Sequence, residues 1–329
     1  MQDRHRGRPC AQSDLKAVKK LLTALGACLA AALLCVFVAA FFFAQRADYG
    51  WSPNVRTPAF TAQHPRVLFD EGHDNASTIG VTGRYWPFGR LLRADGFDVE
   101  RGTTTLTADA LAGVRVLVIA NATGAPKPQF FGLNLPVNTN KARSDPAFTA
   151  AEIEAVRAWV EQGGSLLLIA DHAPFGAAAA SMAGAFGVIM HQGFVEVPGE
   201  RSDPLLFSAG NGRLGVHPIL AGAGFGDAIT RVMTYTGQSL DGPTAASVLL
   251  RLPPAALEAV PSGEGLAERR AGAAQGLALE IGRGRVVVLG EGGMVTAQVY
   301  GREHYGISAA DNDNRQFVLN TMRWLARKF

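Results

Sequence analysis

Four short apolar runs in this chain each close on an acid or an amide, and they restrict the fold more than any other feature. They are Arg66-Val-Leu-Phe-Asp70, Arg115-Val-Leu-Val-Ile-Ala-Asn121, Ser165-Leu-Leu-Leu-Ile-Ala-Asp171 and Arg285-Val-Val-Val-Leu-Gly-Glu291. Runs this short, rich in Val, Ile and Leu, suit strands covered on both faces. Helical patterns lie between most of them, so a mainly parallel sheet in an α/β domain is expected. Asp70, Asn121, Asp171 and Glu291 then collect at one edge of that sheet. Open α/β sheets bind ligands at the carboxyl ends of their strands.

Residues 21–43 form an uncharged apolar stretch, long enough for a helix of roughly 20 residues to cross a bilayer. A cleaved signal peptide has a shorter apolar region and small residues at its cut site. This stretch ends in Phe41-Phe42-Phe43, so an uncleaved anchor is expected. Before it, Arg4, Arg6, Arg8, Lys16, Lys19 and Lys20 face only Asp3 and Asp14. Basic residues favour the cytoplasmic side, which puts the tail (1–20) inside and the bulk of the chain outside the inner membrane. That tail carries +4 against +3 for the whole chain, leaving −1 for the remainder. A near-neutral exported part gives no electrostatic case for nucleic acid. All three cysteines, Cys10, Cys28 and Cys35, lie in the tail or the span. The exported part therefore has no disulfide, no thiolate nucleophile and no thiolate metal ligand.

Residues 44–64, with Pro53 and Pro58, read as a spacer. A helix is expected over 84–94, with Pro87 in its first turn and Phe88, Leu91 and Leu92 facing the sheet. The insertion 124–146, with the pair Phe130-Phe131, has the length of a lid or binding loop. Thr149 and Glu152 form a capping box, and Phe148 with Ile153 a hydrophobic staple, opening a helix stopped by Gly163-Gly164. A smaller helix follows over 177–186. Residues 253–272 read as a polar excursion. Gly282-Arg283-Gly284 turns a hairpin between 277–281 and 285–289, so the last strand runs antiparallel to the one before it. A final helix is expected over 314–327.

The candidate site takes its chemistry from residue type. Asp171, His172 and Glu291 are the catalytic candidates; Asp70, His73, Asn75, Arg84, Asn121, Asp311 and Asn312 are the ligand-binding ones. Carboxyl and imidazole groups on one rim are donors for a divalent metal, here Asp70, His73, Asp171 and His172. They equally suit acid–base work if their surroundings separate their pKa values. A structural role competes throughout, because acids before helices make good N-caps; Asp311 or Asp313 could cap the last helix. Gly222-Ala-Gly-Phe-Gly226 neither follows a clear strand nor opens a clear helix, so it is set aside as a dinucleotide loop. Tyr85, Trp86 and Phe130-Phe131 could stack on a sugar, although packing is the commoner fate of aromatics.

From about residue 65 to 329 the chain resembles the class I glutamine amidotransferase-like superfamily. Within it, the resemblance is to a membrane-tethered, domain-of-unknown-function branch related to trehalose-utilisation-like domains. It is carried by Phe69-Asp-Glu-Gly-His-Asp-Asn75, by the 149–164 helix running into Leu166-Leu-Leu-Ile-Ala-Asp-His172, by Gly290-Glu-Gly-Gly-Met294, and by Asp311-Asn-Asp-Asn-Arg-Gln-Phe317. The resemblance implies a flavodoxin-like three-layer fold. Members that hydrolyse glutamine place a Cys on a tight turn, with His and Glu partners. The matching turn here is Asp171-His-Ala-Pro174, so thioester chemistry is not expected. The leading expectation is a membrane-anchored extracytoplasmic domain that binds a small polar ligand, a carbohydrate or envelope fragment, at its strand ends. A hydrolase using the Asp/His/Glu cluster, with or without a metal, is the alternative. A scaffold that meets a protein partner through the 124–146 loop is the third.

Overall fold

The computed structural model describes residues 10–125, 129–130, 133–134, 145–201, 203–222, 228–263 and 265–329. The basic residues before position 10, most of the 124–146 insertion with Phe131, and most of the 222–226 glycine run lie outside them. The chain divides into two compact units, Met1–Arg46 and Ala47–Phe329. The first is built on one helix, α1 (Cys10–Phe43). Within it the 22 residues Leu15–Val36 have the length and apolarity of a membrane span or a signal sequence.

The larger unit is a mixed α/β domain around a nine-stranded sheet. In chain order its strands are β1 (Arg66–Asp70), β2 (Asp98–Gly102), β3 (Val116–Ala120), β4 (Ser165–Ile169), β5 (Ile189–Met190), β6 (Leu240–Asp241), β7 (Ser247–Arg251), β8 (Ala274–Ile281) and β9 (Gly284–Leu289). They lie in the order β2-β1-β3-β4-β9-β8-β6-β5, and β7 also pairs with β8. The helices are α2 (Trp86–Ala94), α3 (Ala150–Glu161), α4 (Phe175–Gly184), the short α5 (Pro218–Ala221) and α6 (Asn314–Leu325).

Alternate side chains of the central strands enter two separate cores, which is why these runs are apolar without a break. Val67, Phe69, Val116, Val118, Leu167, Val287 and Leu289 pack with α2 and α6 on one face. Leu68, Leu117, Ile119, Leu166, Leu168, Val286 and Val288 pack with α3 and α4 on the other. The stretch read as a spacer contributes as well: Ala59 and Phe60 are buried in the first core. At the far end of α2, Asp95 is fully buried and takes a bidentate pair of bonds from Arg323 of α6, at 2.8 and 2.6 Å.

Two expectations are corrected. The sheet is mixed rather than mainly parallel. β2, β1, β3, β4 and β9 run parallel, while β8, β7, β6 and β5 meet their neighbours antiparallel. The reason is local: Gly282, at φ +57°, turns β8 straight into β9, so a hairpin supplies the second neighbour of β9 in place of a crossover helix. The polar stretch 253–272 also folds. Leu257–Ser262 pairs with Gly265–Arg270 and, on its other side, with Phe194–Glu196. Every residue of Gly265–Arg270 is exposed, so the strand carries no apolar alternation to betray it.

Candidate functional site

Register brings the rim together. Phe69 pairs with Val118, Ala120 with Ile169, and Ile169 with Leu289, all parallel. Asp70 ends β1, Asn121 follows β3, and Asp171 and Glu291 lie just beyond β4 and β9, so all four sit at one sheet edge. Side-chain bonding then divides them into two groups.

The first group is Asp70, His73, Asn75 and a residue of α3, Glu152. The His73 ring is held between Asp70 Oδ1 through Nδ1 and Glu152 Oε1 through Nε2, each at 2.8 Å. Asn75 Nδ2 donates to Asp70 Oδ2 and to the Ala120 carbonyl, at 3.1 Å each. Glu152 also accepts from the N–H of Thr149 and of Leu106, at 3.0 and 3.1 Å, which makes the capping box part of the same cluster. Both ring nitrogens of His73 are occupied and only 8% of its side chain is exposed. Burial opposes a charge on His73, but its bonds to Asp70 and Glu152 outweigh it and raise the pKa. Burial would likewise raise the Glu152 carboxyl; hydrogen bonds from Thr149, His73 and Leu106 bring it down to about 2 instead. The group ties the loop after β1 to the start of α3 and presents no donor atom outward through His73.

The second group is Asn121, Asp171, His172 and Glu291, with Tyr85 and Ser77 behind it. Asn121, at φ +49°, accepts from the Asp171 N–H at 2.9 Å and donates to Ser77 Oγ at 3.1 Å. It therefore positions Asp171. A Cβ added at Gly292 would lie 3.0 Å from the Tyr85 hydroxyl, 3.1 Å from Asn121 Nδ2 and 3.3 Å from Asp171 Oδ2. Three polar atoms thus converge on a point that only glycine leaves open. Tyr85 donates to the Gly292 carbonyl at 2.7 Å. Glu291 is 1% exposed and accepts from the N–H groups of Gly293 and Met294. Burial, and then the neighbouring charge of Asp171, push its carboxyl well above the usual range. Burial and the same two acids raise the Tyr85 hydroxyl too.

His172 stands beside this pair, half-buried, its ring stacked on Phe194 at 4.7 Å. Its Nδ1 lies 2.8 Å from the Ala173 carbonyl. A carbonyl only accepts, so Nδ1 donates in this bond and, in the neutral ring, Nε2 is the acceptor. Gln238, which carried no signal in the sequence, donates to the carbonyls of Ala170 and Asp171 at 2.8 and 3.0 Å and steadies the turn.

Among the described residues, the remaining ligand-binding candidates make no side-chain bond to either group. Arg84 is exposed, and its charge lowers the Tyr85 hydroxyl slightly against the larger opposing effects. Asp311, at φ +56°, is also exposed. Asn312 Nδ2 donates to the carbonyls of Gly306 and Ala309, and its Oδ1 accepts from the Asn314 N–H at the start of α6. Asp313 stands at the N-cap of α6 without capping it; its carboxyl accepts from the N–H groups of Thr230 and Arg231 instead. Tyr85 belongs to the buried core beneath the rim. Among the described residues, no three His, Cys, Asp or Glu side chains gather as a metal site. Of the four metal candidates, Asp70 and His73 are bonded to each other.

No protein-family model matches the sequence, and no curated protein matches it. Solved structures do resemble the fold. The mmIFT52 N-terminal domain is 15% identical, with a TM-score of 0.51 over 79% of this chain and 97% of that one. A ThuA-like protein from Bacteroides uniformis is 13% identical, with a TM-score of 0.44 over 84% and 95%. Another from Parabacteroides merdae is 11% identical, with a TM-score of 0.40 over 80% and 90%.

Proposed function

We propose that the chain is a membrane-anchored protein whose larger unit, flavodoxin-like and related to the glutamine amidotransferase superfamily, faces the extracytoplasmic side. It binds a small polar ligand between Asp171, His172 and Glu291, without glutaminase chemistry. The carrying observation is the buried Glu291 beside Asp171, with its pKa raised. Burial favours the protonated form of Glu291, which donates a hydrogen bond, whereas Asp171 and, in the neutral ring, His172 Nε2 accept. That set matches hydroxyl-rich molecules such as a carbohydrate or a cell-envelope fragment. Cysteine occurs only at positions 10, 28 and 35, so a thiol nucleophile in the larger unit is ruled out.

The raised pKa also favours a second reading, a hydrolase. A buried carboxyl with a raised pKa suits the acid role, here Glu291, with His172 or Asp171 as the base. One experiment separates the readings. Wild type, Asp171→Asn and His172→Ala are screened by thermal shift against amino sugars and envelope glycan fragments, and by product release from the same compounds. Binding without turnover, lost in the variants at unchanged melting temperature, supports the binding site. Turnover lost in the variants supports the hydrolase. Unfolding of both variants, with no ligand response from wild type, would leave the cluster structural and favour the scaffold.

A further inference from the structure

A cleft lies at the other end of the same strands. A groove of about 930 Å³ opens at the amino ends of β3, β4 and β9, lined by Arg115, Gly164 and Gly284 there and by Trp159, Arg283 and Arg327 around them. Its volume is that of a small-molecule site. A Cβ at Gly164 would fall inside the Trp159 indole, so the ring lies flat against that glycine and its half-buried remainder forms part of the wall.

Charge is what sets this groove apart. Arg115, Arg283 and Arg327 are all exposed. One acid, Glu280, also lines the groove and lies 3.4 Å from Arg285, while the nearby Glu161 pairs with Arg157 at 3.0 Å, so cations outnumber acids in the lining three to one. Among the described residues, none of the three lining guanidiniums has an ion-pair partner. Arg285, behind the groove, has its pKa lowered by burial and then by the charge of Arg327. Three unneutralised guanidiniums in one groove of a near-neutral unit form a concentrated positive field.

Backbone strain adds an independent sign. Arg327 has φ +62° and directly follows Ala326, the C-cap of α6. The Lys328 N–H closes onto the Arg323 carbonyl at 2.9 Å. That left-handed position ordinarily belongs to glycine. A long cation held there against its backbone preference points to a role for the side chain.

We propose that this groove is a binding site for a small oligoanion, a ligand carrying two closely spaced phosphate groups and a ring that rests on Trp159. Guanidiniums pair with phosphate oxygens in fork geometry, and an indole accepts a ring face. The phosphates could belong to a soluble compound or to a lipid headgroup.

The test uses the full chain in neutral detergent micelles. One arm titrates inorganic pyrophosphate by calorimetry; the other dopes the micelles with cardiolipin, whose headgroup carries two phosphates. Saturable binding in either arm is expected, and the arm that responds identifies the source. Arg115→Gln, Arg283→Gln and Arg327→Gly should each weaken it tenfold or more. Arg327→Gly relieves the strained position, so its melting temperature should hold or rise, which separates lost binding from lost folding. Arg302→Gln, exposed and outside the groove lining, should bind as wild type does. Saturation in neither arm, undiminished binding by the three lining variants, or equal weakening by Arg302→Gln would overturn the proposal.

Discussion

Replacing His73 with Leu tests whether the first rim group is a tie or a ligand site. The substitution removes two hydrogen bonds of 2.8 Å, to Asp70 and Glu152. Bonds to carboxyl groups contribute about 1.5–3 kcal/mol each. The partners are not orphaned, because Asp70 keeps Asn75 and the Gly72 N–H while Glu152 keeps Thr149 and Leu106. The expected loss is therefore about 3–5 kcal/mol, below the top of the summed range. In a unit of this size that lowers Tm by roughly 6–15 °C. The loss should also depend on pH. The pKa of His73 is raised above 6.5 in the fold, so its contribution is full below 6.5 and fades as pH climbs through the raised value. Glu152 falls from 4.5 to about 2, so its contribution is full above 4.5 and fades as pH drops toward 2. Urea denaturation of wild type and His73→Leu across pH should show the largest difference between 4.5 and 6.5. A variant that keeps its stability but loses ligand binding would refute the structural role. A difference that does not vary with pH would refute the charged bridge.

Three further outcomes follow from the same structure. Asp95→Ala leaves the Arg323 guanidinium buried and without its carboxylate partner, so chemical denaturation should show a loss of about 3–5 kcal/mol, while the Asp95→Ala/Arg323→Met pair should recover part of it. Gly292→Ala forces Tyr85, Asn121 and Asp171 to yield by a few tenths of an ångström; a cost of about 1–2 kcal/mol by denaturation is expected, with ligand response reduced far more than stability. Burial first, and then the charge of Arg285, lower His217 to about 4. Its neutral form thus supports the fold above 6.5, and that support is lost as pH falls toward 4. His217→Asn keeps a cap for the Ile219 N–H, and should flatten the drop in melting temperature between pH 7 and pH 5.

The strands and their shared edge were legible because two-sided burial leaves unbroken apolar runs. The α3 capping box was legible because its partners lie three residues apart. Pairing across the chain was not. Glu152 is 79 residues from His73, and nothing in the local sequence marks it as more than a capping residue. Tyr85 reaches Gly292 across 207 residues, and its aromatic character signalled only core. Gln238 sits between segments with no periodicity of their own. The Gly265–Arg270 strand was hidden because neither of its faces is buried.

By itself, the sequence determined where β1, β3, β4 and β9 run, that Asp70, Asn121, Asp171 and Glu291 share an edge, that one apolar helix precedes the domain, and that the larger unit holds no thiol. Those properties follow from composition and short-range pattern. Tertiary structure alone decided that the edge splits into a closed tie around His73 and a separate cluster around Gly292, and that β7, β6 and β5 join the sheet antiparallel beyond the β8–β9 hairpin. A polar side chain's role depends on which partner reaches it first, and that is settled by packing between segments distant in the chain.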